Sequence, residues 1–312
     1  MTDIHRLKVF LTAAETTNFT ETARRLHMTQ PSVSQHIQAL EQHFDVALFD
    51  RAGRYLQLTE AGEQLAPLVQ ELVRQWVHIE ETMETMKGEV AGHLLVGCST
   101  TPGKYIVPQL LAQFHERYPR VKVSCHVSSQ EHSLQMLCDG DVHCALASAP
   151  HTTYGEIEFE RLITDPISLI APTNHPWAAR GVIDPEDLCE AQFIMREDGS
   201  GTRNAVRDAL AEVGVMESDL DTLITLGNSE AIALAVQEGL GVGFVSNIVV
   251  SRLVDKRVCV VDIRGVSIAR DIYFCHHVRR PATMAQSAFR AFVLQESDVV
   301  QERPAVAVMA PA

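Results

Sequence analysis

Apolar residues recur at helical spacing twice in quick succession early in the chain. Ala23 and Leu26 stripe one short helix, the pattern breaks at His27-Met28, and Val33, Ile37 and Leu40 resume it at spacings of four and three. Two short helices meeting at a tight break share one small core. Thr29 is placed to cap the free amides of the second helix. Pro31 falls in its first turn, where a missing amide proton costs nothing, so the helix starts at Thr29 or Gln30. A longer stripe follows in Leu65, Val69, Leu72, Trp76, Ile79, Met83 and Met86, whose spacings alternate between four and three. It predicts a helix from about Glu60 to Lys87, roughly 42 Å long at 1.5 Å per residue, stopped by Lys87-Gly88. A seam of that length is exposed on a monomer and calls for a partner helix, unless the chain itself covers it.

From His93 onward strands alternate with helices, which predicts βαβ units and a mainly parallel sheet, hence an α/β fold. Strands are expected at about 93–98, 121–127, 142–147, 167–171, 192–195, 222–226, 241–245, 258–262 and 271–276. Helices are expected at about 104–117, 131–138, 186–190, 202–213, 229–238, 246–255 and 282–295. A switch near Asp165-Pro166 and a return near Arg264 to Asp271 divide this region into two subdomains, about 89–164 with 267–298, and about 165–266. A cleft then lies between them, facing strand carboxyl ends and helix amino ends. Residues 299–312 mix Pro, Ala and Val without period and read as a tail.

With Val33, Ile37 and Leu40 turned inward, the outer face of the second early helix carries Gln30, Ser32, Ser34, Gln35 and Gln38, with His36 at its margin. These donors and acceptors match base edges and phosphate oxygens in a major groove, and Gln30, Ser34 and Gln35 are the expected base contacts. An ordinary solvated helix face is the competing reading of those six residues. The series T-x-x-A-x-x-L-x-x-T-Q-P-S-V-S-x-x-I-x-x-L-E, beginning at Thr20, continues with ALFDR and with LTEAG at Leu58 to Gly62. It resembles the winged helix-turn-helix of LysR-type transcriptional regulators.

The resemblance implies a DNA-binding domain over 1–59, with a first helix at Ile4 to Thr16 and a wing hairpin near Asp50 to Gln57. Thr20, Thr29, Gln30, Pro31, Ser32, Ser34, Gln35 and Gln38 would meet double-stranded DNA, and Arg51 and Arg54 would reach backbone phosphate. It further implies a linker helix at 60–88 that forms a homodimer, or a homotetramer, two half-sites about one helical turn apart, contact with RNA polymerase, and a periplasmic-binding-protein-like effector domain over 89–298. Asp45 stands where such proteins usually carry Gly, a departure expected to alter the turn into the wing, and Ser32 stands where Ala is common.

Charge changes the picture of DNA binding. Residues 1 to 60 hold six Lys or Arg against seven acids, and the whole chain carries −14. Non-specific affinity comes from phosphate neutralisation, so this chain is expected to bind bulk DNA weakly at physiological salt and to depend on local cations, pairing and base contacts. With 46% hydrophobic residues, no basic-then-apolar opening segment and no run of 18 apolar residues, the expectation is a globular cytoplasmic protein that does not span a membrane. Seven scattered cysteines without C-x-x-C suit reduced thiols in the core; a redox switch is the lesser alternative, and a Cys/His metal site lesser still.

Two segments place hydroxyls and glycines where the cleft should be. Ser99, Thr100 and Thr101 follow the first strand and open a helix, while Arg196 to Arg203, including Ser200, Gly201 and Thr202, follow a later strand and open another. Free amides and the positive end of the helix dipole attract anions there. Ser128 with Ser129, and Asn228, offer further walls, and Arg196 and Arg203 are candidate charge partners for a small anionic effector. Simple capping is the alternative for each segment, and a salt bridge to Glu197 or Asp198 for Arg196. The G-S-G-T-R, G-N-S-E-A-I and G-L-G-V-G-F stretches look most like the Rubisco-operon and sulfur-assimilation branch of the family, which implies a phosphorylated sugar, a carboxylate or a sulfur oxyanion. Neither a G-x-S-x-G elbow, an H-E-x-x-H pair nor a Walker loop is present, so an enzyme is not expected, and no cofactor or metal is called for. A solute-binding protein without DNA function leaves the first 60 residues unexplained.

Overall fold

The computed structural model describes residues 3–50, 56–85, 90–148, 154–254 and 256–301. The chain separates into two compact units, Met1–Gly88 and Glu89–Ala312.

In the first unit, α1 (Ile4–Thr16), α2 (Phe19–Arg25) and α3 (Gln30–Phe44) pack around Val9, Phe10, Ala13, Ala23, Val33, Ile37 and Leu40. Burying Val33, Ile37 and Leu40 contributes about 1.5–3 kcal/mol each. The break between α2 and α3 puts His27 at φ 52°, and α3 ends on Asp45 at φ 54°. Asp tolerates this left-handed geometry better than most side chains, so the turn is kept without the glycine. Glu41 supports the same turn, its Oε1 accepting the amides of Leu48 at 3.0 Å and Phe49 at 3.2 Å. A short hairpin of β1 (Phe49–Asp50) and β2 (Gln57–Leu58) leads to α4 (Glu60–Thr85). Gly62 is required here, because a Cβ would sit 2.3 Å from the Leu48 carbonyl oxygen.

The stripe on α4 has two fates. Leu65 and Val69 pack into this unit's own core, whereas Leu72, Trp76, Ile79 and Met83 are 41–56% exposed. The self-packing alternative therefore holds for the first turns and fails for the rest; Met86 lies outside the described residues.

The second unit begins with β3 (Gly92–Ser99), a π turn over Pro102–Ile106, α5 (Val107–Arg117), β4 (Val121–Ser128), α6 (Gln130–Asp139) and β5 (Cys144–Ser148). The expected single helix at 104–117 is interrupted because Pro108 has no amide to donate; the Val107 amide reaches back to the Pro102 carbonyl instead. β6 (Ile157–Pro172) then runs for 16 residues, where only 167–171 was expected. Its charged residues disguised the first half: Glu158 pairs with His276, and Glu160 with Arg290. There follow α7 (Pro176–Arg180), β7 (Val182–Ile183), a 3-10 turn at Pro185–Glu190 in place of the expected helix, β8 (Gln192–Arg196), α8 (Gly201–Glu212), β9 (Asp221–Leu226) and α9 (Ser229–Gln237). The chain continues through β10 (Val242–Ser246), α10 (Asn247–Leu253), β11 (Val258–Ile263), β12 (Ala269–His277) and α11 (Met284–Gln301). α11 thus runs on into the stretch expected as a tail.

The sheet order is β4-β3-β5-β12-β6-β10-β8-β9, with β11 also on β6. Pairing is parallel inside the βα runs, β3 with β4 and β5, and β8 with β9 and β10. It is antiparallel where the chain crosses. β6 pairs β12 over Ile157 to Pro166, then β10 and β11 over Ile167 to Pro172. The change of partner at Asp165 to Ile167 makes two lobes from one continuous strand, so the switch expected at Asp165-Pro166 is an exchange of neighbours, not a break. Each lobe buries apolar clusters on the two faces of its part of the sheet.

Candidate functional site

On α3, Thr29 caps the helix, its Oγ1 accepting the Ser32 amide at 3.3 Å, with Pro31 in the first turn. Gln30, Pro31, Gln35 and Gln38 are exposed and Ser32 and Ser34 half-buried, while Val33, Ile37 and Leu40 are fully inside. Thr20 is exposed at the start of α2, where Asn18 Oδ1 accepts the amides of Thr20 and Glu21 at 2.9 and 3.1 Å. One continuous face therefore presents the expected polar set. His36 stacks edge-on against His5 at 5.1 Å, and burial, helped by the charge of His5, lowers its pKa. Arg51 and Arg54 lie outside the described residues.

In the second unit a cavity of about 70 Å³ opens between the lobes. Ser99 and Thr100 at the end of β3, and Ser129, Gln130 and Glu131 at the start of α6, form one side. Arg196 to Gly201, between β8 and α8, form the other, and Arg270 of β12 closes it. The expected Ser99, Thr100, Ser129, Arg196, Ser200 and Gly201 are among these; Thr101, Ser128, Thr202, Arg203 and Asn228 are not. Ser128 and Asn228 are engaged locally. Ser128 Oγ meets Ser133 Oγ at 2.8 Å, and Asn228 Oδ1 caps α9 by accepting the Ala231 amide at 2.8 Å. Arg203 is a brace: Glu217 accepts from its Nε, and Nη1 donates to the Arg196 carbonyl oxygen and to Asp198, both at 2.9 Å. Arg196 is a buried ion pair, Nε and Nη2 each 2.7 Å from the Glu197 carboxylate and Nη1 3.1 Å from Ser229 Oγ.

Arg270 is a wall residue that sequence reasoning missed. Its Nε and Nη2 both donate to Asp165 Oδ2 at 3.0 Å, and Asp165 Oδ1 accepts from Ser246 Oγ at 2.7 Å. Burial pushes the Asp165 carboxyl up and the Arg270 guanidinium down, and their attraction opposes both shifts. The two crossovers had been marked as switch points, and a carboxylate on one with a guanidinium on the other was the available signal. Gln130 and Ser148 were also missed. A Cβ on Gly201 would come within 2.4 Å of Ser148 Oγ and 2.9 Å of Gln130 Oε1, so α8 approaches the opposite lobe as closely as glycine permits.

The seven cysteines are free thiols. Cys98 and Cys125 approach to 3.0 Å between their Sγ atoms, a contact that, with burial, pushes Cys98 up. Burial also raises Cys144 and Cys275, which holds these thiols protonated and unreactive. Among the described residues no group of His, Cys, Asp and Glu could hold a metal ion, and no helix is long and apolar enough to cross a membrane.

A helix-turn-helix with a polar recognition face, followed by a long partly unpaired helix and a two-lobed α/β domain with a polar cleft, defines a ligand-responsive DNA-binding regulator. The sequence profile of the LysR family bacterial regulatory helix-turn-helix protein matches residues 4–63, and that of the LysR substrate binding domain matches 87–298. The chain belongs to the LysR family of transcriptional regulators. It is similar to the RuBisCO operon transcriptional regulator of Allochromatium vinosum, 32% identical over 94% of this chain and 96% of that protein. It is also similar to the regulator CysL of Bacillus subtilis, 29% identical over 86% and 89%. These relatives are regulators, not enzymes. Among solved structures, CbnR, a LysR family transcriptional regulator, shares the fold with TM-score 0.67 at 19% identity, covering 95% of this chain and 99% of that one. The regulatory domain of Synechocystis CcmR in complex with 2-PG has TM-score 0.60 at 26% identity, covering 68% and 99%.

Proposed function

We propose that this chain is a cytoplasmic regulator whose α3 face reads operator DNA and whose inter-lobe cleft binds a small anionic metabolite. Gln30, Ser34 and Gln35 contact base edges, while Thr20, Thr29, Pro31, Ser32, Gln38, Arg51 and Arg54 position the helix on the sugar-phosphate backbone. Leu72, Trp76, Ile79 and Met83 join two copies through residues 60–88, and two such dimers form a tetramer. The lobes are about 89–164 with 267–298, and about 165–266. A ligand that closes them changes the spacing of the paired DNA-binding domains, and with it DNA bending and contact with RNA polymerase; it shifts the equilibrium only by its differential affinity for the two states.

The observation that carries the effector half is a pair of buried side-chain oxygens without a partner on the wall of the cleft, on Gln130 and Ser200. The similar CcmR regulatory domain, solved in complex with 2-PG, supports a small-molecule effector for this domain. Paired titrations test the map. Thr202→Ala or Ser99→Ala blunts the response to effector with DNA affinity intact, and Gln30→Ala or Ser34→Ala weakens operator binding with effector affinity intact. The opposite assignment overturns it.

A further inference from the structure

The lobes also meet through residues that do not line the cleft. Tyr105, in the π turn of the first lobe, packs against the apolar cluster of the second lobe that includes Ile170, Ile232 and Val249. Ile248, on α10 of the second lobe, packs in return against the cluster of the first that includes Val96, Ile106 and Phe274. Each lobe thus receives one side chain from the other. Polar contacts follow the same path. Lys104 Nζ lies 3.1 Å from Glu230 Oε1 in the first turn of α9, and the Arg252 guanidinium stands over the Tyr105 ring, 5.9 Å from its centroid. Burial, followed by the charge of Glu230, pushes the Tyr105 phenol up to about 12, so its hydroxyl keeps its proton and donates to that carboxylate.

Both sides of this contact are rooted in their own lobes. A Cβ on Gly103 would come within 2.6 Å of Val127 Cγ2, so glycine lets the π turn lie flat on β4, and Ile106 is buried beneath it. With these two turned inward, Lys104 and Tyr105 face the second lobe. There, Ser246 caps α10 by accepting the Ile248 amide at 3.2 Å, and donates to Asp165 where β6 exchanges neighbours. Single π turns are rare and recur at functional sites, and Ser99 and Thr100 of the cleft wall lead into this one through Thr101. Strength decides what the contact can do. An ion pair whose lysine is 43% exposed and a cation over one ring are each weak, and Tyr105 and Ile248 are only half-buried, so the bridge holds the lobes without fusing them. The buried Asp165–Arg270 pair has no such freedom.

We propose that the π turn is a releasable latch: Lys104 and Tyr105 fix the resting arrangement of the lobes, and releasing them changes affinity for operator DNA. The first half stands without any reading of the cleft or of α3; the second rests on the function proposed above. Hydroxyl-radical footprinting of the full-length protein, without DNA or effector, measures solvent access to Tyr105 and Ile248 directly. Lys104→Glu and Glu230→Lys are each expected to raise oxidation of both side chains at least about twofold, and the double variant, which restores opposite charges, to return it to the unaltered level. Oxidation unchanged in either single variant, raised at Tyr105 alone, or not returned by the double variant overturns the latch. Phe114, fully buried in the first lobe, reports on folding. If it too is oxidised, Lys104→Met and Glu230→Gln replace the charge reversals, and each must expose both Tyr105 and Ile248 for the latch to stand. On operator DNA, the two charge reversals are expected to shift affinity about fivefold in the same direction and the double variant to restore it. Unchanged affinity with Tyr105 and Ile248 exposed removes the regulatory role and leaves a structural bridge. Should no operator be found, the reading of α3 fails and the footprinting result still decides the latch.

Discussion

The α3 face and the inter-lobe cleft use the same side chains, carboxamides and hydroxyls, in opposite settings. Gln30, Gln35 and Gln38 stand in water, which satisfies them until a duplex replaces it. Gln130, Ser148, Ser200 and Thr202 are shielded from water with an oxygen unpaired, a state that costs about 1–3 kcal/mol per group until something fills it. The first arrangement holds its shape without ligand and gathers affinity from many weak contacts. The second leaves polar groups unmet near the meeting of two lobes, a cost that the proposed effector would relieve.

The largest effect that sharpens this contrast concerns the hinge itself. Asp165→Ala leaves the buried Arg270 guanidinium uncompensated and is expected to destabilise the effector unit by about 3–5 kcal/mol in denaturant unfolding, with helical signal from the first unit unaffected. A loss below about 1 kcal/mol would show that the pair does not hold the crossovers together.

Acid is the next lever. Burial, followed by the charge of His93, lowers His143 to about 4, and its Nδ1 accepts the Leu95 amide at 3.1 Å. The folded pKa lies below the unfolded value of 6.5, so this contribution is complete above pH 6.5 and is lost as pH falls towards 4. Its size is on the order of 2–3 kcal/mol. His143→Asn, whose Oδ1 can accept the same amide, should flatten that part of the unfolding-versus-pH curve; an unchanged curve removes His143 from the account.

On the exposed side, Gln30→Ala is expected to cost about 1–3 kcal/mol of operator affinity and to relax specificity at one base pair, read by competition binding at fixed salt. Equal loss on operator and random duplex would instead mark a phosphate contact. The smallest expected change is Asp45→Gly, which relieves a left-handed residue but adds freedom to the unfolded chain. The balance is a gain of about 0.5–1 kcal/mol in the first unit, checked by thermal unfolding.

The same contrast explains what the sequence disclosed. The α3 face is local: Thr29, Pro31, Val33, Ile37 and Leu40 declare cap, first turn and buried stripe within a dozen residues, and the helix starts at Gln30, one of the two starts its pattern allows. The βα runs are equally local, so their strands and helices fall close to expectation. The cleft is not local. Arg270 meets Asp165 across 105 positions of chain, and Ser148 meets Gly201 across the lobes, so neither pairing leaves a periodic trace. Ser200 and Gly201 open a helix, a local signal that put them forward and that the structure sets on the cleft wall, whereas the brace of Arg203 on Glu217 depends on a turn beyond α8. The first half of β6 stayed hidden because Glu158 and Glu160, read singly, suggest a loop, and their partners, His276 on β12 and Arg290 on α11, lie far along the chain.

The most direct test of the central claim is selection of bound duplexes from a randomised DNA library by the full-length protein, in parallel with Gln30→Ala and Ser34→Ala. Enrichment by the unaltered protein of a motif with two related half-sites about one helical turn apart, blurred in both variants, is the predicted result. Recovery of no motif, or of the same motif undiminished from both variants, would contradict the assignment of α3 as the reading helix.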